Sequence, residues 1–218
     1  MSLLVVEMDE ATRQQVQIMF AVLDHDVTIH LFVKDHECLY CGDTASLVKL
    51  IADLSDKIRI EKHTDPIGTG KAAEMGIIAH PTAVLHGKGE YKVKFMGIPA
   101  GHEFGALVAG IVAVSTGSVP LSADIIADIK EIDRPVNIKV FTTPQCPYCP
   151  NMVRLAHYAA IINPLIEGEM IESLEFQDLA NKYQVFGVPK TIFNETISLE
   201  GAVPPETFVE KLYDAIEK

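Results

Sequence analysis

Hydrophobic and polar positions along the chain follow one pattern that occurs twice. A strand-like run rich in β-branched residues comes first, at 27–33 and again at 136–141. Each run is followed by segments whose apolar spacing switches between the helical and the extended period, and each copy ends in a longer helical segment. Both copies therefore predict the element order β-α-β-α-β-β-α.

The pattern and the Gly, Pro and Asn residues that interrupt it place the elements of each copy. The first copy has predicted strands at 27–33 and 57–62, helices at 44–54 and 70–75, a hairpin of 82–85 with 91–96, and a helix at 103–114. The second copy has predicted strands at 136–141 and 168–172, helices at 152–162 and 177–183, a hairpin of 191–193 with 197–200, and a helix at 205–217. Two further helices are predicted ahead of the copies, at 9–23 and 124–129. The apolar face of the first of these is formed by Val16, Met19, Phe20 and Leu23.

Two kinds of residue mark the repeat more sharply than the hydrophobic pattern does. Cys38 and Cys41 recur 108 residues later as Cys146 and Cys149. Pro81, which follows the first pair, recurs at the same offset of 108 as Pro189, which follows the second pair. The chain has 218 residues, which suits two small domains of roughly 100 residues each. Linker-like residues at 115–120 place the predicted boundary between units 1–117 and 118–218.

Charge and hydropathy exclude several classes of protein. The net charge is −12, from 18 basic and 30 acidic residues, which argues against binding to nucleic acid or to an anionic membrane surface. The longest apolar stretch, near 105–114, is about half the length of a membrane span. The first ten residues contain three acids and no basic segment, unlike a secretory signal, so the expected compartment is the cytoplasm.

The four cysteines form two Cys-x-x-Cys pairs, and their spacing favours redox chemistry. A disulfide that closes so short a loop constrains little of the unfolded chain. Zinc ribbons place two such pairs roughly 15–20 residues apart, whereas 104 residues separate Cys41 from Cys146. We therefore expect thiol–disulfide exchange, with no metal and no cofactor.

Each pair lies between the first strand and the first helix of its copy, and this position suits a reactive thiol. Unpaired N–H groups at a helix N-terminus can lower a thiol pKa from about 8.5 to about 7 or below. Cys146 is therefore the expected nucleophile, and Cys149 is expected to resolve the mixed disulfide. Cys38 and Cys41 take the same roles by symmetry of the repeat.

A Cys-x-x-Cys pair at this junction in this element order is typical of the thioredoxin fold. Since the pattern occurs twice, we expect an α/β chain of two tandem thioredoxin folds, each with a central mixed β-sheet flanked by helices. The motif Cys-Pro-Tyr-Cys at 146–149 is that of glutaredoxins, and Val188-Pro189 matches the cis-proline site of thioredoxin-fold proteins. With the segment 95–104 closing the first copy, the chain resembles the glutaredoxin-like protein disulfide oxidoreductases of thermophilic archaea and bacteria.

The resemblance implies a thiol–disulfide oxidoreductase that reduces, forms or isomerises protein disulfides, with the second pair as the main site. It also implies cis bonds at Pro81 and Pro189, and substrate contact at Val188 and His80 beside them. Tyr148 is either a substrate contact or an exposed spacer. His80, which stands where the second copy has Val188, either tunes the thiol of Cys38 or is a surface histidine without a role.

The expected partners are protein disulfide substrates and a reductant, either a thioredoxin-reductase-like flavoprotein or a small thiol. A cluster bridging two chains, as some glutaredoxins form, is a less favoured alternative. The other alternative is an electron-relay module that passes electrons from a flavoprotein reductase to a peroxiredoxin or another acceptor.

Thioredoxin-like proteins often carry a buried ionisable group behind the thiols. Glu169 and Glu172 are the candidates for this group, and His157 is expected to be packed or on the surface.

Overall fold

A computed structural model of the protein describes residues 8–217. Both copies form the predicted succession of elements. The first copy consists of α1 (Glu10–Phe20), β1 (Val27–Phe32), α2 (Cys41–Ala52), β2 (Ile58–His63), α3 (Gly70–Glu74), β3 (Thr82–His86), β4 (Val93–Met96) and α4 (Glu103–Thr116). The second consists of α5 (Ala123–Lys130), β5 (Val136–Thr142), α6 (Cys149–Ile162), β6 (Ile166–Glu172), α7 (Gln177–Lys182), β7 (Lys190–Phe193), β8 (Ile197–Glu200) and α8 (Pro205–Glu217).

Local side chains explain where several helices begin and end. The Asp9 carboxylate accepts a hydrogen bond of 2.8 Å from the backbone N–H of Thr12 at the start of α1, and the Ser122 hydroxyl accepts one from the N–H of Ile125 at the start of α5. Both residues satisfy N–H groups that a helix leaves unpaired. Gly117 ends α4 with a φ of 64°, which a residue without Cβ adopts at low cost.

The strands of both copies join into a single sheet with the order β2-β1-β3-β4-β6-β5-β7-β8. Within each copy, the first two strands are parallel and the hairpin is antiparallel. The copies meet where β4 runs parallel to β6, with Val93 opposite Gly168 and Phe95 opposite Met170. The sequence predicted a mixed sheet for each copy, and the structure adds that the edge of one sheet pairs with the edge of the other.

The two faces of this sheet are covered unequally. One face carries a continuous hydrophobic core that runs through both copies and includes residues of α1, α2, α4, α5, α6 and α8. The other face has two smaller clusters, one around Phe32 and Ala72 beneath α3 and one around Phe141 and Ala180 beneath α7. Polar side chains, among them His30, occupy positions on the strands near these clusters.

Helix α4 connects the copies in the continuous core. Its sequence is apolar on nearly all sides, as expected for a helix surrounded by protein, and it packs against α6 of the second copy. Gly168 allows α6 to approach the sheet closely, because a Cβ at this position would lie 2.5 Å from the carbonyl oxygen of Ala156.

The α/β fold of two tandem thioredoxin folds is confirmed. On α1, Val16 and Phe20 are buried as predicted, but Met19 is 39% exposed. Helix α4 ends at Thr116, next to the expected boundary, and the division into 1–117 and 118–218 remains a prediction. Among residues 8–217, no helix is both long and apolar enough to cross a membrane.

Candidate functional site

Cys146 and Cys149 lie where β5 gives way to α6, and they form a disulfide. Strand β5 ends at Thr142, and Cys149 opens the helix with Pro150 in its first turn, where a missing N–H costs nothing. Cys146 is 8% exposed and Cys149 is fully buried. The outer sulfur is therefore the one that a substrate can reach, as the assignment of Cys146 as nucleophile requires.

The helix terminus is aimed at the outer sulfur. The backbone N–H of Cys149 donates to Sγ of Cys146 across 3.1 Å. After reduction, the same N–H and the positive end of the helix dipole would favour the thiolate of Cys146 over its thiol. The short loop between β5 and α6 thus holds Sγ of Cys146 in a field that would favour its thiolate.

The structure brings the second predicted part of this site to the cysteines. The Val188–Pro189 peptide bond is cis, and the carbonyl oxygen of Val188 lies 3.7 Å from Sγ of Cys146. The carbonyl of Pro189 accepts a 2.8 Å hydrogen bond from the N–H of Gly201, which ties this loop to the end of β8. Tyr148 caps α6 with its side chain 65% exposed, a position open to either interpretation of this residue.

The first copy repeats the arrangement with differences. Cys38 and Cys41 form a disulfide, and α2 begins at Cys41. The sulfur that receives a backbone hydrogen bond is the inner one, because the N–H of Lys34 lies 3.4 Å from Sγ of Cys41. The His80–Pro81 bond is cis, and the carbonyl of Pro81 accepts a hydrogen bond of 3.0 Å from Gly97, as that of Pro189 does from Gly201.

His80 brings little positive charge to the first pair at neutral pH. Burial is the main cause that lowers the pKa of its imidazole below the ordinary value of 6.5, and repulsion from the Lys34 cation lowers it further. The side chain is therefore mostly neutral at pH 7, so the structure gives no electrostatic support to a role in stabilising a thiolate of Cys38.

Glu103 is a buried acid that was not among the residues predicted from the sequence. It is 1% exposed at the first turn of α4, and neither carboxyl oxygen has a hydrogen-bond partner among residues 8–217. Burial raises its pKa to about 8, and Arg154 on α6 opposes this in part. The preceding residue, His102, donates from its backbone N–H to the carbonyl of Pro144, two residues before Cys146. An acid opening an otherwise apolar helix was the signal in the sequence.

The acids chosen from the sequence are buried, but in different places. Glu172 is the last residue of β6 and lies opposite Thr142, at the same end of the strands as the second cysteine pair. Burial raises the pKa of Glu172. It accepts a 2.6 Å hydrogen bond from the N–H of Glu175, whose pKa burial raises to about 7. Glu169 lies three positions before the end of β6, so it is not beside the cysteines. Its Oε1 is 3.7 Å from Nζ of Lys94. His157 is packed in the core, where its Nε2–H donates to the carbonyl of Lys94.

Exposed apolar side chains lie on the segments that lead to both cis-prolines, and they too were not predicted from the sequence. Phe186, two residues before Val188, is 93% exposed, and Ile78, two before His80, is 54% exposed. Ile78 also lines a groove of about 750 Å³ together with Met96 and Leu174. Side chains this exposed are available for contact with another molecule.

Comparisons with known proteins agree with this description. Residues 136–214 match the thioredoxin domain family. The chain is 27% identical over 167 residues to the AhpF component of the alkyl hydroperoxide reductase of Xanthomonas campestris pv. phaseoli and 23% identical over 206 residues to an NADH dehydrogenase of Bacillus subtilis strain 168. These matches cover 76% and 94% of the chain but 30% and 38% of the relatives, so the chain spans about a third of their length.

Two solved structures match over nearly the whole chain. A protein disulfide oxidoreductase from Aeropyrum pernix has a TM-score of 0.90 at 29% identity and covers 98% of this chain and 95% of its own. The NTD_N/C domain of alkylhydroperoxide reductase AhpF from Enterococcus faecalis has a TM-score of 0.88 at 28% identity and covers 94% and 100%. Both share with this chain the fold of two thioredoxin units.

Proposed function

We propose that this chain is a thiol–disulfide oxidoreductase whose main site is the pair Cys146 and Cys149. The observation that carries the proposal is the convergence on Sγ of Cys146, with the N–H of Cys149 at 3.1 Å and the carbonyl of Val188 at 3.7 Å. The first contact supports a thiolate, and the second places the sulfur beside backbone that a substrate strand can pair with.

The proposed reaction transfers two electrons. In the reduced protein, the thiolate of Cys146 attacks one sulfur of a substrate disulfide, and the other sulfur leaves as a thiolate. The thiolate of Cys149 then attacks Sγ of Cys146 in the mixed disulfide and releases the second substrate sulfur. The substrate gains two thiols after protonation, and the protein is left with the Cys146–Cys149 disulfide.

Pro189 and Val188 are proposed to hold the substrate during this exchange. An extended substrate segment would align with the backbone of Val188, which is open to the same side as the sulfur of Cys146. Tyr148, exposed beside the pair, is proposed as a further contact. His80 and Pro81 take the corresponding positions in the first copy.

The pair Cys38 and Cys41 is proposed as a second, less reactive centre. Its inner sulfur, rather than its outer one, receives a backbone hydrogen bond, and the neighbouring His80 is mostly neutral at pH 7.

The closer assignment to the glutaredoxin-like protein disulfide oxidoreductases rests on the motif at 146–149 and on the similarity to the Aeropyrum pernix structure. The cytoplasmic location also remains a prediction.

A second candidate function is an electron relay, and the similarity to the AhpF component of alkyl hydroperoxide reductases favours it. In this role the chain would accept electrons from a flavoprotein or a small thiol and pass them to a peroxiredoxin or another disulfide acceptor. The chemistry at Cys146 is the same in both roles, and only the partners differ.

Reduction of insulin disulfides by dithiothreitol tests the proposal. We expect the purified chain to catalyse this reduction, Cys146→Ser to fall to the uncatalysed rate, and Cys38→Ser to retain most of the activity. Activity retained by Cys146→Ser would overturn the assignment of the main site. A chain that reduces a peroxiredoxin rapidly but insulin only at the uncatalysed rate would favour the relay.

A further inference from the structure

A cluster of nitrogen and oxygen donors on the first copy lies apart from both cysteine pairs and has no part in the chemistry above. It consists of His30 in the middle of β1 and of Glu61 and His63 on the neighbouring strand β2. Nδ1 of His30 lies 3.1 Å from Nε2 of His63 and 3.3 Å from Oε2 of Glu61. The three donor atoms all lie within 4.8 Å of one another.

From this geometry we infer that His30, His63 and Glu61 form a binding site for a divalent transition-metal cation of the zinc class. Zn²⁺ binds imidazole nitrogen and carboxylate oxygen at about 2.0–2.2 Å, and a tetrahedral arrangement at these lengths separates neighbouring ligand atoms by about 3.3 Å. The two short separations at Nδ1 of His30 match that edge. Two imidazoles and a carboxylate favour zinc over magnesium or calcium, which prefer oxygen ligands alone.

A proton cannot satisfy these contacts as well as a cation can. Nδ1 of His30 faces a second ring nitrogen and a carboxylate oxygen at once, and a neutral imidazole nitrogen either donates one hydrogen or accepts one. If Nδ1 carries the hydrogen, the carboxylate of Glu61 and the lone pair of His63 share it in a three-centre hydrogen bond, and neither acceptor has a hydrogen of its own. If His63 donates to Nδ1, the lone pair of Nδ1 faces the carboxylate. A single cation among the three atoms interacts favourably with all of them.

The surroundings of the cluster suit a bound ion. His30 is 7% exposed and is held in place by the sheet, while the carboxylate of Glu61 is about half-exposed. The ring of His63 stacks on Phe32 at 4.7 Å between centroids, and the ring of His86 packs edge-on against His30 at 4.6 Å. Aromatic contacts of this kind fix the orientation of the imidazoles, which lowers the entropy lost when a metal binds.

Nearby charges leave the site available to a cation. Nε of Arg59 lies 3.7 Å from Oε1 of Glu61, so the oxygen that faces His30 is the other one. Nζ of Lys71, which lines the adjacent groove, is paired with Glu74 at 3.1 Å. A second groove of about 590 Å³ opens onto His30 and Glu61 and gives a hydrated ion a path to the site and room for a water ligand.

The second copy provides an internal comparison. His30 pairs with Glu61 in the register of β1 and β2, and Lys139 pairs with Glu169 at the same place in β5 and β6. The position of His63 is taken by Ile171. A lysine and an isoleucine cannot replace two imidazole ligands, so the donor set belongs to the first copy alone.

Titration calorimetry with Zn²⁺ tests the inference on the full chain without a histidine tag. The protein is stripped with a chelator and kept oxidised, because free cysteine thiolates would bind zinc themselves. His63→Gln and Glu61→Gln remove one ligand each at positions that are not fully buried, and His36→Gln is the matched control on an exposed loop. Thermal unfolding of each variant confirms that it is folded.

We expect one Zn²⁺ per chain, weakened at least about tenfold in His63→Gln and Glu61→Gln and unchanged in His36→Gln. Co²⁺ in place of Zn²⁺ is expected to give the visible absorption bands of a tetrahedral site, lost in His63→Gln. Absence of stoichiometric Zn²⁺ binding to the oxidised chain would overturn the inference. So would equal affinities in the parent chain and both ligand variants, or an equal loss in the control.

Discussion

The backbone N–H of Cys149 points at Sγ of Cys146 across 3.1 Å. This contact distinguishes the two cysteine pairs, because in the first copy the backbone hydrogen bond to a sulfur comes from a different position, Lys34 after β1, and goes to the inner sulfur, that of Cys41. A donor aimed at the outer sulfur stabilises the nucleophilic thiolate, and a donor aimed at the inner sulfur stabilises the leaving or resolving one. Pairs that are equivalent by repeat therefore have different backbone contacts at their sulfurs, and we expect different reactivity from them.

The first prediction concerns the thiol pKa values of the reduced protein. We expect the pKa of Cys146 to be about 7 or below, and that of Cys38 to lie closer to the ordinary value of about 8.5. The pH dependence of alkylation by iodoacetamide, read for each cysteine by peptide mass spectrometry, measures both. Profiles that coincide for the two residues would contradict the assignment of Cys146 as the stronger nucleophile.

A variant of His80 extends this measurement to the first pair. Because the imidazole is mostly neutral at pH 7, His80→Val is expected to leave the alkylation profile of Cys38 unchanged. A rise in the pKa of Cys38 by half a unit or more in this variant would show that His80 does tune the thiol.

The second prediction follows from the buried carboxyl of Glu103. Burial raises its pKa in the folded protein to about 8, whereas the unfolded chain loses this proton near 4.5. Between these values the unfolded state binds fewer protons, so the free energy of unfolding falls as pH rises through this range. One pKa unit corresponds to about 1.4 kcal/mol, so the loss from this group amounts to a few kcal/mol.

Glu103→Gln removes this titration while keeping the shape of the side chain. We expect the variant to lose much of the decline in stability between about pH 5 and about pH 8, and to exceed the parent in stability at the alkaline end. Urea unfolding of both proteins at several pH values measures the difference. The other buried acids are common to both, so parallel curves would mean that Glu103 is ionised in the folded state.

The repeat and the hydrophobic pattern sufficed to predict the elements of each copy, and the reason is local. The period of apolar residues sets helix or strand, and the cysteine and proline offsets align one copy with the other. The proximity of Val188 to Cys146 followed instead from the resemblance to thioredoxin-fold proteins, and the carbonyl oxygen of Val188 does lie 3.7 Å from Sγ of Cys146. Prediction from sequence succeeded where one copy could be checked against the other.

Features that depend on pairing between elements could not be predicted in this way. Nothing in the apolar pattern of β4 shows that it pairs with β6, because edge strands and central strands can have the same composition. Glu103 becomes a perturbed acid through its burial, which depends on how α4 packs against both copies in the folded chain. His30 and His63 are 33 residues apart and become neighbours through strand register, which hydrophobic spacing does not reveal.

The third prediction concerns the exposed ring of Phe186. If this side chain contacts protein substrates beside Val188, then Phe186→Ala should lower kcat/KM for insulin by about tenfold, or about 1.4 kcal/mol. A small disulfide needs contact only with the sulfur of Cys146, so its rate should be unchanged. Ile18→Ala, which removes a side chain that is 73% exposed on α1, is the control for loss of apolar surface. Equal losses with both substrates would mean that Phe186 acts on the cysteines rather than on the substrate.

The fourth prediction tests the contact between α4 and the loop that carries Cys146. Gly101 has a φ of 61°, and a Cβ there would lie 2.3 Å from the carbonyl oxygen of Pro144. That carbonyl already accepts a hydrogen bond from His102. Gly101→Ala therefore introduces an unfavourable backbone conformation and a clash that only movement of backbone can relieve, and we expect a loss of roughly 2–3 kcal/mol of stability.

Gly105 provides the matched control for this substitution, because it lies inside α4 and a Cβ added there would meet no heavy atom within 4 Å. Gly105→Ala should stabilise the protein by about 0.5–1 kcal/mol, as expected when alanine replaces glycine in a helix. Urea unfolding gives both values, and alkylation of Cys146 shows whether the loop has moved. We expect an altered alkylation rate in Gly101→Ala alone. If Gly101→Ala unfolds like the parent and alkylates at the same rate, the first copy does not hold the loop of the second in place, and the two sites operate independently.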